Sequence, residues 1–215
     1  KLPEGVPPAV AQSFAGLVPA AVAIVLIWFI RVLLNFDINA FFTWLLSPLV
    51  MGLGTLPGML ILIFLISILW CCGIHGDNVL SGITSPIFLK YIAENTQAYL
   101  NHQPIPHITA DGFYIVFMCL GGTGATLGLV ISMLRSKSKL YKSVGELSLP
   151  SAIFCINEPV IFGFPIVFNP IMMIPFTITP MILCTLTYAL MYFNIIGRPV
   201  LQIPWTMPPI FAAYF

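Results

Sequence analysis

Residues 151–165 read SAIFCINEPVIFGFP. Asn157, Glu158 and Pro159 stand between two apolar flanks. An ionisable group inside a membrane segment costs several kcal/mol unless it is paired or hydrated. Pro159 disfavours helix in the residue before it, so irregular backbone is expected at Asn157-Glu158. At membrane depth such backbone is tolerated only inside protein or along a watery cavity. The stretch therefore predicts that Glu158 lines a polar cavity, at a hairpin tip or a helix break. The plainer reading is a Glu hydrogen-bonded to a neighbour for packing.

Composition makes lipid the solvent for that argument. The 215 residues are 59% hydrophobic and 7% charged, where soluble domains carry about 25% charge. A net charge of +1 gives no electrostatic case for nucleic acid. Nineteen prolines and sixteen glycines predict broken, short or re-entrant helices. Cys71, Cys72, Cys119, Cys155 and Cys184 all lie in apolar stretches. Their odd number and the lack of a Cys-x-x-Cys pair argue against a disulfide framework or a zinc site. Apolar packing is expected of them, and no metal or cofactor is expected. A start at Lys1 and an end inside an apolar run suggest an interior piece of a longer membrane protein.

Working outward, Pro7-Pro8 predicts a helix start near Ala9, and residues 15–34 a spanning helix with Arg31 snorkelling at one end. Residues 35–50 read as an interfacial amphipathic helix. Residues 56–74 give a second span. IHGDN (74–78) then opens a mixed stretch, expected to be a helical hairpin or partial span plus a loop as far as Asp111. Residues 112–134 give a third span of 23 uncharged residues, with Gly121-Gly122-Thr123-Gly124 at its middle. RSKSKLYK (135–142) marks a cytoplasmic loop by the positive-inside rule. From Pro159 to Gly197, 39 residues carry no charge, enough for a re-entrant piece plus a span. Pro165, Pro170, Pro175 and Pro180 are expected to interrupt helix there, leaving 181–196 unbroken. QIPWTMPP (202–209) reads as a loop dipping into the protein. The fold class is an all-α integral membrane protein with polytopic helices, re-entrant hairpins and proline-broken segments.

Besides Glu158, three places carry candidate chemistry. In His75-Gly76-Asp77-Asn78 an imidazole, a carboxylate and an amide stand together and can bind hydroxyls. The alternative is an ordinary turn with Asp77 or Asn78 as helix N-cap, and Asp77 leans structural. The glycines at 121, 122 and 124 serve close helix packing or close approach to a ligand. Trp205 offers an aromatic face to a sugar ring, or is an interfacial belt residue. His102 and His107 read as solvated loop residues.

PEGVPPAVAQSFAGLVP (3–19), IHGDN, GGTGATLGL (121–129), ELSLPSAIFCINEPVIFGFPIVFNP (146–170) and QIPWTMPP together carry a resemblance. The chain resembles the membrane IIC component of the bacterial sugar phosphotransferase system, in its lactose/cellobiose/N,N'-diacetylchitobiose branch. The resemblance implies a homodimer in the cytoplasmic membrane that moves one disaccharide by alternating access. Residues 1–50 would hold the last helix of the dimerisation region and an interfacial helix, and 51–215 the sugar-binding transport domain. It implies that His75 and Glu158 bind the sugar near the phosphorylated hydroxyl, either being a candidate general base. Asn78, Gly122, Asn157 and Trp205 complete the candidate substrate-binding set. Phosphate would come from a phosphocysteine on a separate IIB protein or domain. The competing readings are an ion-coupled secondary transporter with Glu158 as coupling carboxylate, an intramembrane hydrolase, and a structural subunit without a ligand. Neither HExxH nor GxSxG occurs to support the hydrolase.

Overall fold

The computed structural model describes residues 8–33, 37, 41, 44, 45 and 52–214. The chain divides into two units, Lys1–Ser47 and Pro48–Phe215. In the first, α1 runs over Pro8–Leu33. Proline suits the first turn of a helix because its missing N–H would have had no partner there. The 26 residues rise about 39 Å at 1.5 Å each, enough to cross a hydrocarbon core of about 30 Å. Arg31, in the last turn, pairs with Asp37. Most of the interfacial helix expected over 35–50 lies outside the described residues. Phe41, Trp44 and Leu45 are helical and exposed.

The second unit is helical throughout its described residues, but its boundaries differ from several sequence expectations. The span expected over 56–74 is the shorter α2, Leu56–Cys71. Thr55 caps it, its hydroxyl accepting the Gly58 N–H. Sixteen residues rise only about 24 Å. Of the two forms expected after IHGDN, a hairpin or a partial span plus a loop, the structure has the second: one continuous helix, α3, Gly76–Leu100, with Pro86 inside it, followed by a loop.

The continuous span expected over 112–134 is overturned. It is two short helices, α4 (Phe113–Met118) and α5 (Leu127–Leu134), with a turn between them. Gly122 and Gly124 have φ of +103° and +82°, which a right-handed helix cannot continue through. A Cβ at Gly122 would lie 2.3 Å from Asn157 Cγ, and one at Gly124 2.3 Å from Phe176 Cε2. The glycines are thus held by close packing, the plainer of their two readings.

Helix α6, Lys139–Ala152, starts inside the basic loop and folds back against α5. A turn with Cys155 at φ +62° leads to α7, Glu158–Gly163. Helix α8, Pro170–Tyr192, contains Pro175 and Pro180 and stays helical through both. Each proline removes one backbone hydrogen bond. Packing against neighbouring helices makes such losses tolerable in membrane segments, and α8 packs along α2 and α4. Its 23 residues make it the one helix of the second unit, among the described residues, long and apolar enough to cross a membrane. The last helix, α9, is Pro209–Ala212.

Met59, Leu62, Ile63 and Ile66 of α2 are buried in one cluster with Phe176, Cys184 and Met191 of α8. In lipid there is no water to leave, so this cluster is held by van der Waals packing between the helices. The opposite faces are also apolar: Ile61, Phe64, Ile174, Ile178 and Ile182 are exposed. An apolar exterior of this kind suits a lipid-facing surface. Cys71, Cys119 and Cys184 are buried as expected of packing residues, whereas Cys72 is exposed and Cys155 half-buried.

Three segments are tied together at the C-terminal half of α3. The buried Asn95 amide donates to the carbonyls of His107 and Pro199, and its oxygen accepts the His107 N–H. Thr96 donates to Val200 O at 2.6 Å. Arg198 donates to the Ile105 carbonyl. His107 bonds to Glu94 and stacks on Tyr91, so it is not the solvated residue expected from sequence. His102 is exposed.

Candidate functional site

A cavity of about 440 Å³ opens where these helices break, within the usual 300–1,000 Å³ of small-molecule sites. Its wall takes Trp70 from the end of α2, His75, Asp77 and Asn78 from the start of α3, and Tyr114 from α4. Asn157 and Glu158 come from the start of α7, and Trp205 from the chain before α9. Five of the six sequence candidates line it. The exception is Gly122, which stands behind Asn157 rather than on the wall.

His75, rather than Asp77 or Asn78, is the N-cap of α3. Its Nδ1 accepts the Asn78 N–H at 3.3 Å. A neutral imidazole that accepts at Nδ1 carries its proton on Nε2. That nitrogen lies 3.9 Å from Glu158 Oε1, too far for a direct hydrogen bond. The ring rests against Trp70, with centroids 4.2 Å apart. Glu158 opens α7, its side chain 45% exposed to the cavity side of the molecule.

The residues between them are spent on holding this gap. Asn157, 3% exposed, donates both amide hydrogens to protein: to Thr123 O at 2.7 Å and Thr126 Oγ1 at 2.9 Å. Asp77 accepts from Trp70 Nε1 at 2.7 Å, Thr123 Oγ1 at 2.7 Å and Tyr114 OH at 3.0 Å. This goes further than a turn-forming role. Trp70, Tyr114 and Thr123 were not singled out from sequence. Only the need of a buried indole N–H for an acceptor pointed towards Trp70.

Trp205 is 57% exposed, leaving its ring available at the cavity edge. Asp111, in the loop before α4, is half-buried and also lines the cavity. Burial raises its carboxyl above the ordinary range, and a hydrogen bond from the Gly112 N–H partly offsets this.

A largely apolar, aromatic-walled cavity with a few convergent polar groups, framed by interrupted helices within an apolar exterior, suits a membrane transport domain. Residues 1–180 match the family described as "Phosphotransferase system, EIIC", and the chain belongs to that family. It is 41% identical over 194 residues to the putative permease IIC component YwbA of Bacillus subtilis (strain 168), covering 87% of this chain and 44% of that protein. It is 42% identical over 194 residues to the lichenan permease IIC component of the same organism, covering 87% and 43%. With the cellobiose-specific EIIC component of Geobacillus stearothermophilus it shares 37% identity over 181 residues, 80% of this chain and 40% of that one. The crystal structure of the transporter ChbC, the IIC component from the N,N'-diacetylchitobiose-specific phosphotransferase system, superposes with a TM-score of 0.74. It is 38% identical, over 100% of this chain and 51% of that one. The chain thus spans about half the length, or less, of these relatives.

Proposed function

We propose that the chain is the sugar-binding part of a multi-pass permease in the bacterial cytoplasmic membrane. It takes up a disaccharide of cellobiose, diacetylchitobiose or lactose type by alternating access, coupled to phosphorylation by a IIB partner. The first unit contributes to a homodimer contact and the second holds the sugar. The cellobiose, lichenan and chitobiose names among its relatives support the sugar class.

The observation that carries the reading is the 3.9 Å gap between His75 Nε2 and Glu158 Oε1. A sugar hydroxyl placed there accepts from Nε2–H and donates to the Glu158 carboxylate. Charge-assisted bonds of the second kind are the stronger. With Nδ1 occupied by the Asn78 N–H, the neutral His75 is a donor and Glu158 is left as the base. When the hydroxyl oxygen attacks phosphorus on the partner's phosphocysteine, the new O–P bond forms as S–P breaks. The electron pair leaves on the thiolate and the hydroxyl proton passes to Glu158. Trp205 supplies a ring face, Trp70 backs the His75 ring, and Asn157 and Gly122 keep the Glu158 backbone in place. Asn78 stands at the open edge of the same wall.

Titration of the intact protein in detergent with cellobiose, diacetylchitobiose and lactose, beside Glu158→Gln, tests the reading. One disaccharide should bind in the micromolar range. The variant should bind it at least tenfold more weakly, as loss of a charged hydrogen bond requires, and with the phosphorylated IIB partner added should not support its phosphorylation. A folded wild type that binds none of the three, and whose uptake follows a proton gradient, would replace this reading with the ion-coupled one.

A further inference from the structure

Among the described residues, the cavity wall carries three carboxylates, Asp77, Asp111 and Glu158, and no lysine or arginine. A phosphoryl group is anionic, so this wall opposes the approach of the group it has to receive. Any cations of this chain that draw the group in must stand outside the wall. Four of the chain's eight lysines and arginines fall in one short run: Arg135, Lys137, Lys139 and Lys142. All four are exposed, and none makes an ion pair among the described residues. Arg31 and Lys90, by contrast, are paired with Asp37 and Glu94, and Arg198 is bound to loop carbonyls.

The run is held by the hairpin of α6 and α7. Ser138 caps α6, its hydroxyl accepting the Tyr141 N–H at 3.5 Å. Lys139 and Lys142 then occupy the first turn, where there is no acidic residue. The positive end of a helix dipole disfavours cations there. Helix stability alone would select against them, and an arriving anion relieves the conflict. Tyr141, in the same turn, packs on Phe164 just past the end of α7, with ring centroids 5.1 Å apart. Glu158 starts α7, whose six residues rise about 9 Å. The cations and Glu158 therefore ride on one hairpin, at opposite ends of α7.

We propose that Arg135, Lys137, Lys139 and Lys142 form the docking surface for the phosphorylated IIB partner. This rests on the sugar-permease reading above. The occupant follows from charge: the partner brings an anionic group towards three carboxylates, and this run is the unpaired positive charge on the element that bears Glu158. Leu140 and Tyr141 are exposed between the cations. They give an apolar centre within a polar rim, as protein interfaces have. The attraction acts at long range, offsets the repulsion of the cavity wall, and weakens with salt. By the positive-inside rule the run faces the cytoplasm, the side from which the partner approaches.

The test uses the full-length protein in vesicles of phosphatidylcholine alone, so that no anionic headgroup competes. The probe is a cellobiose-type IIB protein phosphorylated on its cysteine, with the disaccharide that the wild type binds as acceptor. The variant Lys137→Glu/Lys139→Glu/Lys142→Glu should raise the KM for phosphorylated IIB at least tenfold at low salt. Its sugar Kd and its kcat should stay within about twofold of wild type. Raising salt from about 50 to about 200 mM should raise the wild-type KM severalfold and the variant's much less. Lys137→Arg/Lys139→Arg/Lys142→Arg should keep the wild-type KM. An unchanged KM in a charge-reversed variant that still binds sugar would overturn the proposal, as would a fall in kcat alone. So would a KM difference that appears only when phosphatidylglycerol is added, which would assign the cations to lipid headgroups. If the charge-reversed variant does not fold, a wild-type KM indifferent to salt overturns it. A wild type whose bound sugar no phosphorylated IIB protein can phosphorylate would overturn the permease reading, and this proposal with it.

Discussion

Asp77 is the place where a single substitution should separate architecture from chemistry. Its carboxylate receives hydrogen bonds from Trp70, Thr123 and Tyr114, which come from α2, the glycine turn and α4. In Asp77→Ala the Trp70 indole, on a residue only 3% exposed, keeps a buried donor with no acceptor, at about 1–3 kcal/mol. The two hydroxyls can turn towards other acceptors or water, so each forfeits only about 1 kcal/mol. The total is about 3–5 kcal/mol. Asp77→Asn can keep an oxygen facing Trp70 and Thr123 and loses mainly the charge assistance, about 1–2 kcal/mol. Thermal unfolding of the intact protein in detergent should therefore show the alanine variant lower by roughly 5–10 °C. The asparagine variant should be lower by less than half of that. Sugar affinity should fall in the same order, because the wall moves without loss of either sugar-facing group. An alanine variant within about 1 °C of wild type, or an asparagine variant as damaged as alanine, would refute the argument that the three donors depend on this carboxylate.

The same network gives three shorter predictions. Gly122→Ala combines a φ of +103° with a Cβ 2.3 Å from Asn157 Cγ, and should cost about 3 kcal/mol or more, seen as low yield of folded protein and lost sugar binding. Asn157→Ala leaves Thr123 O and Thr126 Oγ1 without their donor and opens a void. It should cost about 2–4 kcal/mol and weaken sugar binding while Glu158 is intact, read by thermal midpoint and titration. Asn95→Ala unties His107 and Pro199 and should cost about 2–4 kcal/mol. It should also raise hydrogen exchange at 105–112 and 198–206, with α5 and α6 unchanged.

How much of this was legible in the sequence depended on whether the deciding force was local. A helix start near Ala9 and a break before Glu158 follow from what proline does to its own neighbours, and the helices begin at Pro8 and at Glu158. The split of 112–134 does not follow from charge, which is absent throughout it. Three glycines in a span permit a turn or close packing equally well, and the choice was made by Asn157 and Phe176 arriving from over 30 residues away. The prolines of α8 misled in the opposite sense. Their local cost is real, but packing along α2 and α4 outweighed it. His107 looked like a solvated loop residue and Asn95 gave no signal, because the carbonyls that Asn95 satisfies lie on loops that nothing in the sequence brings together. The candidate site was more legible than its supports, since charged groups in apolar sequence are few and conspicuous. Trp70, Tyr114 and Thr123 have no such conspicuousness in a chain that is 13% aromatic.

The two sequence signatures, IHGDN and INEP, are joined in space through one residue of the third. Thr123 donates its hydroxyl to Asp77 and offers its carbonyl to the Asn157 amide. Asp77 lies two positions from His75, and Asn157 one position from Glu158. The distance between His75 and Glu158 is therefore set through a single turn, whose flanking glycines let Asn157 and Phe176 approach to contact. A helix at 112–134 would present Thr123 to one partner only, because its carbonyl would be spent on the helix's own bonding. Breaking the helix frees that carbonyl and the space around it. The interruption that makes this segment a poor membrane span is what lets it hold His75 Nε2 and Glu158 Oε1 3.9 Å apart.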